Sequence, residues 1–155
     1  MNKSTPFYLY PGSIFVHTDS FAVKTVLGSC VSVCLWDPVL KAGGINHYQL
    51  TFWNGKGLPT PKYGNIAIKR LIEKMSIIGS LKTNLKAKVF GGASVLSTFS
   101  DIFAIGKENV MLAKNTLAEH GIPIINCNVG GINGRIVVFY THSGTALVKY
   151  IDKLY

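Results

Sequence analysis

The feature that most constrains the fold is a change in hydrophobic period near Tyr63. Before that point the chain carries runs in which apolar residues alternate with polar or small ones, a pattern typical of β-strands. Asp37-Pro38 closes one of these runs as a turn. We expect the runs to form a β-meander with tight connections, and they cover residues 13–17, 21–27, 30–36 and 43–50.

From Tyr63 onward, apolar residues recur at about every fourth position, as they do along one face of an α-helix. Asn65 is a possible cap at the start of this helix, and Gly79 is a stop signal at its end. The apolar face of the predicted helix consists of Ala67, Ile68, Leu71, Ile72, Met75 and Ile78.

The rest of the chain predicts one more helix among several strands. The helix covers residues 108–120, with Val110, Ala113 and Leu117 facing inward, and it ends before Gly121. Strands followed by isolated helices, without strict β-α-β alternation, favour an α+β fold in which helices cover layered, packed β-sheets. The additional strands are predicted over residues 85–90, 122–126, 135–141 and 145–151.

A chain of 155 residues can bury a hydrophobic core without disulfides or metals. We therefore expect a single domain over residues 1–155, with residues 1–6 loose. The sequence contains no run near the roughly 18 apolar residues of a membrane span, and its first residues lack the apolar segment of a secretion signal. These features predict a soluble, cytoplasmic protein.

The net charge of +9 arises from 16 Lys and Arg against 7 Asp and Glu. Most of these basic residues stand singly along the chain, as on a solvated surface. An acidic protein partner is the next interpretation, because a positive surface attracts negative ones. Nucleic acid is not expected as a partner, since aromatic and basic residues do not alternate as a stacking platform requires.

Cysteine and histidine usage bears on disulfides and metals. Three cysteines without a secretion signal argue against a disulfide framework. The four histidines are scattered and have no ligand spacing to a cysteine pair. The glycine-rich stretches match no nucleotide-binding motif. We therefore expect neither a metal nor a cofactor.

Cys30 and His47 are the residues most suited to chemistry. Cys30 follows the small residues Gly28 and Ser29 at the start of a strand, where a thiol can be both fixed and accessible. His47 lies on the next predicted strand, so a hairpin can bring the imidazole beside the thiol. This pair is the minimum set for a cysteine nucleophile, whose thiol pKa a neighbouring base must lower. The alternative is a buried cysteine and a hydrogen-bonded histidine without catalytic roles.

A third group should orient the imidazole, and Thr25 is the best placed hydroxyl, with Ser29 as an alternative. The backbone N–H groups of residues 28–30 are candidates for an oxyanion hole, because Gly28 allows close approach to the backbone. Thr25 also fits a strand residue chosen only for its β-propensity.

The other candidates have structural interpretations. Cys34 and Cys127 are assigned to structure, and the glycines at 91–92 and 130–134 to turns that shape a rim around Cys30. Arg135 is a candidate contact for an acidic partner. His17, His120 and His142 need no functional explanation.

Taken together, the motifs resemble the CheD family of chemoreceptor glutamine deamidases. The similarity spans nearly the whole chain, and the matching segments occur in the family's order. They are LGSCVSVCLWDP at 27–38, GGINH at 43–47, AKVFGGA at 87–93, IGKENV at 105–110 and GGINGR at 130–135.

The resemblance implies that Cys30 is the nucleophile, His47 the general base and acid, and Thr25 the third member of the site. It implies a thioester route from glutamine to glutamate on chemoreceptor cytoplasmic domains. It also implies a fold like the catalytic domain of cytotoxic necrotizing factor toxins and, as in some relatives, binding to a CheC-like phosphatase. The alternative function is a non-catalytic module that binds such a phosphatase or a receptor.

Overall fold

The computed structural model describes residues 3–94 and 100–152, except for the side chains of residues 100–104. Strands and helices alternate irregularly along the chain, as expected for an α+β protein. In chain order the described strands and α-helices are β1 Thr5–Tyr8, β2 Ile14–His17, β3 Phe21–Leu27, β4 Val31–Asp37, β5 Ala42–Asn46, α1 Gly64–Ile77, β6 Lys86–Gly91, α2 Ser100–Glu119, β7 Ile124–Val129, β8 Arg135–Tyr140 and β9 Ala146–Tyr150.

The strands form two sheets, with the orders β1-β3-β8-β9 and β2-β5-β4-β6-β7. The predicted meander is wrong except for the hairpin of β4 and β5, because the strands from β1 to β4 alternate between the two sheets. Instead, β3 pairs with β8, over 100 residues later in the chain. β1 begins inside the segment that we expected to be loose, and it pairs in parallel with β3.

The second sheet lies between the first sheet and the helices. One of its faces packs on the first sheet through a cluster that includes Cys34, Phe90 and Phe139. The other face packs on α1 and α2 through a cluster that includes Val33 and Leu71. This layering explains why nearly every residue of β4 is buried, whereas β3 buries alternate residues.

Both predicted helices are confirmed, but their first residues differ from those predicted. Asn65 does not cap α1, because it lies inside the helix that begins at Gly64, and its side-chain oxygen accepts a hydrogen bond from the Trp53 N–H at 3.0 Å. α2 begins at Ser100 and runs through Gly106, where we expected no helix. A Cβ at Gly106 would lie 2.6 Å from the Gly92 carbonyl oxygen, so this glycine permits close packing. No helix within the described residues is long and apolar enough to span a membrane.

Candidate active site

Cys30 lies in the short connection between β3 and β4, directly before the strand that we predicted to include it. Its thiol is free and half-buried. Its carbonyl oxygen accepts a hydrogen bond from the Gly92 N–H at 2.9 Å, and the Gly28 carbonyl accepts one from the Ala93 N–H at 2.9 Å. The two residues directly after β6 therefore hold the backbone on both sides of Ser29.

Gly91 makes this close approach possible. Its φ is 106°, and a Cβ there would overlap the carbonyl oxygen of Cys30. A side chain at this position would meet both unfavourable backbone geometry and a backbone clash. The glycine pair at 91–92 thus forms part of the surroundings of Cys30, as the sequence predicts.

His47 directly follows β5 and lies across from the Cys30 segment. Val31 and Tyr48 form an antiparallel bridge with both backbone hydrogen bonds, at 3.1 and 3.0 Å. Cys30 and His47 precede these two residues and so occupy diagonal positions across the bridge. Such positions share one face of a strand pair, with Cα atoms about 7–8 Å apart in a regular ladder. The bridge therefore puts these two positions on one face, and Cys30 packs against the cluster between the two sheets.

The imidazole of His47, which follows a strand of the second sheet, is hydrogen-bonded to a residue of the first sheet. Its Nδ1 lies 2.7 Å from the Thr25 Oγ1, and that hydroxyl donates to the Leu9 carbonyl at 2.9 Å. Because the hydroxyl proton is used on Leu9, the Thr25 oxygen accepts from an Nδ1–H of His47. This leaves Nε2 as the basic nitrogen, and it is buried without a hydrogen-bond partner among the described residues.

Burial sets the protonation of both candidate groups. It lowers the pKa of His47 to about 4, so the imidazole is neutral near pH 7. It also raises the pKa of the Cys30 thiol, an effect that the Cys30 backbone N–H partly offsets. The expectation of a lowered thiol pKa is therefore wrong for this state of the site. In this state the thiol and the imidazole are both neutral, and Nε2 is the imidazole nitrogen that is free to accept a proton.

Ser29 is bound to α2 through its backbone carbonyl. Its carbonyl oxygen accepts a hydrogen bond from the Asn109 side chain at 3.2 Å. Asn109 is fully buried on α2, and it is not among the site residues that we predicted from the sequence. The available signal was its position four residues before Ala113, which places a polar side chain on the buried stripe of the helix.

Two further predictions need correction. Cys34 is buried as expected, but Cys127 is exposed because it lies on β7, at the edge of the second sheet. Arg135 is buried and unavailable to an acidic partner. Its guanidinium donates to the carbonyls of Asn128, Gly130 and Asn133, so it organises the neighbouring glycine-rich turn.

Two of the remaining histidines have partners of their own. His17 accepts a hydrogen bond from the Asp19 N–H at 2.9 Å, and His120 lies 3.0 Å from the Lys82 amine. Within residues 3–94 and 100–152, no three potential metal-ligating side chains come together.

Comparison with known proteins shows the family to which the chain belongs. The family model described as "CheD chemotactic sensory transduction" matches residues 51–150. A protein of Trichlorobacter lovleyi named "Probable chemoreceptor glutamine deamidase CheD" is 46% identical over 142 residues, which cover 92% of this chain and 88% of that protein. The chain belongs to the CheD family. Since so few residues remain outside that alignment, the similarity extends over positions 25 to 47.

Other CheD relatives match over similar lengths. One from Sulfurimonas denitrificans, which carries the same name, is 40% identical, and the match covers 94% of each chain. Another, from Anaeromyxobacter dehalogenans, is named "Probable chemoreceptor glutamine deamidase CheD 1". It is 41% identical over 93% of this chain and 84% of its own.

Proposed function

We propose that this chain is a cysteine-dependent deamidase that converts glutamines of chemoreceptors to glutamates. Membership of the CheD family supports the activity and the substrate class. The single structural observation that carries the chemistry is the bond from His47 Nδ1 to Thr25. It leaves Nε2 as a free base on the face shared with Cys30.

The reaction begins when His47 Nε2 accepts the Cys30 thiol proton and the sulfur bonds to the glutamine carboxamide carbon. The carbonyl oxygen becomes an oxyanion, for which the backbone N–H groups of residues 28–30 are the proposed donors. His47 then protonates the amide nitrogen as the C–N bond breaks. Ammonia leaves, and a thioester to Cys30 remains.

Hydrolysis of the thioester uses the same base. His47 accepts a proton from water as the water oxygen bonds to the carbonyl carbon. The C–S bond then breaks, the thiolate recovers its proton from His47, and glutamate is released. Thr25 keeps Nδ1 protonated in the resting state, so that Nε2 is the nitrogen that exchanges protons with substrate and water.

The remaining assignments follow from this function. The receptor segments that carry glutamine substrates are cytoplasmic, so we place the protein in the cytoplasm. We also propose that residues 1–155 form a single domain. A CheC-like phosphatase is a proposed partner on the ground of the family resemblance. We also propose that the layered α+β fold corresponds to the catalytic domain of cytotoxic necrotizing factor toxins, which superposition of the two backbones would test.

Mass spectrometry of receptor cytoplasmic fragments tests the activity. Conversion of an amide to an acid adds about 1 Da per site, and we expect this gain with the wild-type protein. Cys30→Ala and His47→Ala should abolish it. Cys127→Ala is the matched control, because this thiol is exposed and lies on an edge strand away from His47. Receptor binding by the wild type without any mass gain would instead support the non-catalytic module.

A further inference from the structure

Asn109 connects the two segments that carry Cys30 and His47. Its side-chain nitrogen donates to the Ser29 carbonyl at 3.2 Å and to the Gln49 carbonyl at 3.0 Å. Its side-chain oxygen accepts from the Thr51 hydroxyl at 2.8 Å, which fixes the orientation of the amide. The Asn109 side chain thus binds both the connection before β4 and the segment after His47.

The backbone of Asn109 adds to the same network. Its carbonyl oxygen accepts a hydrogen bond from the Tyr48 hydroxyl at 2.5 Å. Tyr48 is fully buried and forms the bridge with Val31 that aligns the two segments. α2 is therefore tied to the site by side-chain and backbone bonds at a single residue.

The bond to Ser29 has a consequence for the next backbone amide. In a planar trans peptide the C=O and the following N–H point in opposite directions. Since Asn109 holds the Ser29 carbonyl toward α2, it also directs the Cys30 N–H away from α2. That N–H belongs to the residue that carries the proposed nucleophile, and it is one of the proposed oxyanion donors.

We propose that Asn109 is a positioning residue that sets the orientation of the peptide between Ser29 and Cys30, and through it the oxyanion donor. This role rests on the proposed deamidase function. Asn109 does not touch the substrate; it acts through the peptide group. Its loss should therefore impair the step that develops an oxyanion more than a reaction at the sulfur alone.

Two reactions of the full-length chain separate these effects. Deamidation of a receptor fragment passes through an oxyanion, whereas alkylation of Cys30 by iodoacetamide is a displacement at a saturated carbon. For Asn109→Leu we expect kcat for deamidation to fall about 100-fold and KM to stay within about twofold. Because the Cys30 N–H also lowers the pKa of the thiol, its displacement should slow the alkylation of Cys30 too, but by less than about tenfold, as followed by peptide mass spectrometry.

Thr51→Val provides a second, milder variant, because Thr51 is only partly buried and its loss frees the Asn109 amide to rotate. Here kcat should fall about fivefold, with the same selective effect on deamidation. Asn115→Leu is the matched control, since Asn115 is exposed on the same helix, and its kcat should equal that of the wild type. Thermal unfolding of each variant establishes the folded fraction used to normalise kcat.

The outcomes are distinguishable. An active wild type with equal kcat in Asn109→Leu would overturn the role of Asn109. So would an equal fall in deamidation and alkylation, because that would locate the effect at the thiol and its base. A wild type that deamidates no receptor fragment would instead contradict the proposed function itself.

Discussion

His47 and Cys30 are held in place in different ways. The imidazole of His47 is buried and bonded through its own Nδ1 to Thr25, which belongs to the other sheet. The thiol of Cys30 is half-buried, and the described hydrogen bonds around it hold the backbone through Gly92, Ala93 and Asn109. Both backbones are hydrogen-bonded, but only the imidazole has a described hydrogen bond from its own side chain to another residue, whereas Cys30 is held through its backbone.

This difference separates the effects of substitutions on the two sides. On the Cys30 side, damage should come from residues that change the path of the chain. On the His47 side, it should come from residues that change hydrogen bonding or protonation while the chain path stays the same. Each substitution has a control elsewhere in the molecule. On the Cys30 side the control is a glycine with a similar φ, and on the His47 side it is a threonine with the same burial.

The largest effect is expected for Gly91→Ala, which tests the backbone side. The new Cβ would overlap the Cys30 carbonyl oxygen, at a φ of 106°. The segment that carries Cys30 must move to relieve this overlap, and a shift of about 1 Å at a reacting group can cost about 100-fold in rate. We expect at least this loss of deamidation, measured by the mass gain of a receptor fragment.

Gly79→Ala is the matched control for Gly91→Ala. Gly79 has a φ of 101°, but no heavy atom lies within 4 Å of the position that a Cβ would take, so an alanine here carries the backbone strain without the clash. This variant should lose roughly 1–3 kcal/mol of unfolding free energy and keep its activity. Equal activity of the folded Gly91→Ala and Gly79→Ala proteins would show that the backbone contact at Cys30 does not position the nucleophile.

The sequence predicts the elements of this fold better than their pairing. Alternation and helical period identify the strands and helices because each pattern is local. Assignment of a strand to a sheet depends on distant partners, such as β8 for β3, which no local pattern contains. Apart from the hairpin of β4 and β5, the meander was wrong for this reason, since it assumed that all neighbours along the chain pair with one another.

The residues of the candidate site also divide into those that a local pattern indicates and those whose place depends on distant contacts. Cys30, His47 and Thr25 could be grouped because they lie within a short stretch of predicted strands. The buried roles of Asn109 and Arg135 were missed, since polar residues are usually exposed, and these two are buried where carbonyl groups converge around them. Their bonding depends on loops that meet only in the folded chain.

The next largest effect is expected for Thr25→Val, which tests the side-chain side of the comparison. The change removes the acceptor of the His47 Nδ1–H and leaves the Leu9 carbonyl without its donor. Unfolding free energy should fall by roughly 1–3 kcal/mol. Deamidation per folded molecule should fall by about 10- to 100-fold, since the imidazole loses its fixed tautomer and orientation.

Thr141→Val is the control for Thr25→Val. Thr141 is equally buried and bonds the Phe21 N–H at 3.0 Å, at the opposite end of β3. It should lose similar stability with unchanged activity, and Thr25→Ser should recover most of the activity lost in Thr25→Val. If both valine variants lose activity equally, Thr25 has no special relation to His47.

The last prediction concerns stability as a function of pH and leaves the residues of the protein unchanged. Burial lowers the pKa of His47 to about 4 in the folded protein, against about 6.5 in an unfolded chain. Between these values the unfolded chain binds more protons, so stability is full above pH 6.5 and falls as the pH decreases toward 4. The loss attributable to His47 should be about 3 kcal/mol.

Urea unfolding of the wild type and His47→Gln at pH 7 and pH 4 isolates this contribution, because the other titrating groups are common to both. The wild type should lose more unfolding free energy than the variant over this interval, and the acid limb of deamidation should lie near pH 4. An equal loss in both proteins, with an acid limb near pH 6.5, would mean that the imidazole reaches water in solution. The hydrogen bond to Thr25 would then not exclude water from the imidazole, and His47 and Cys30 would no longer differ in their exposure to solvent.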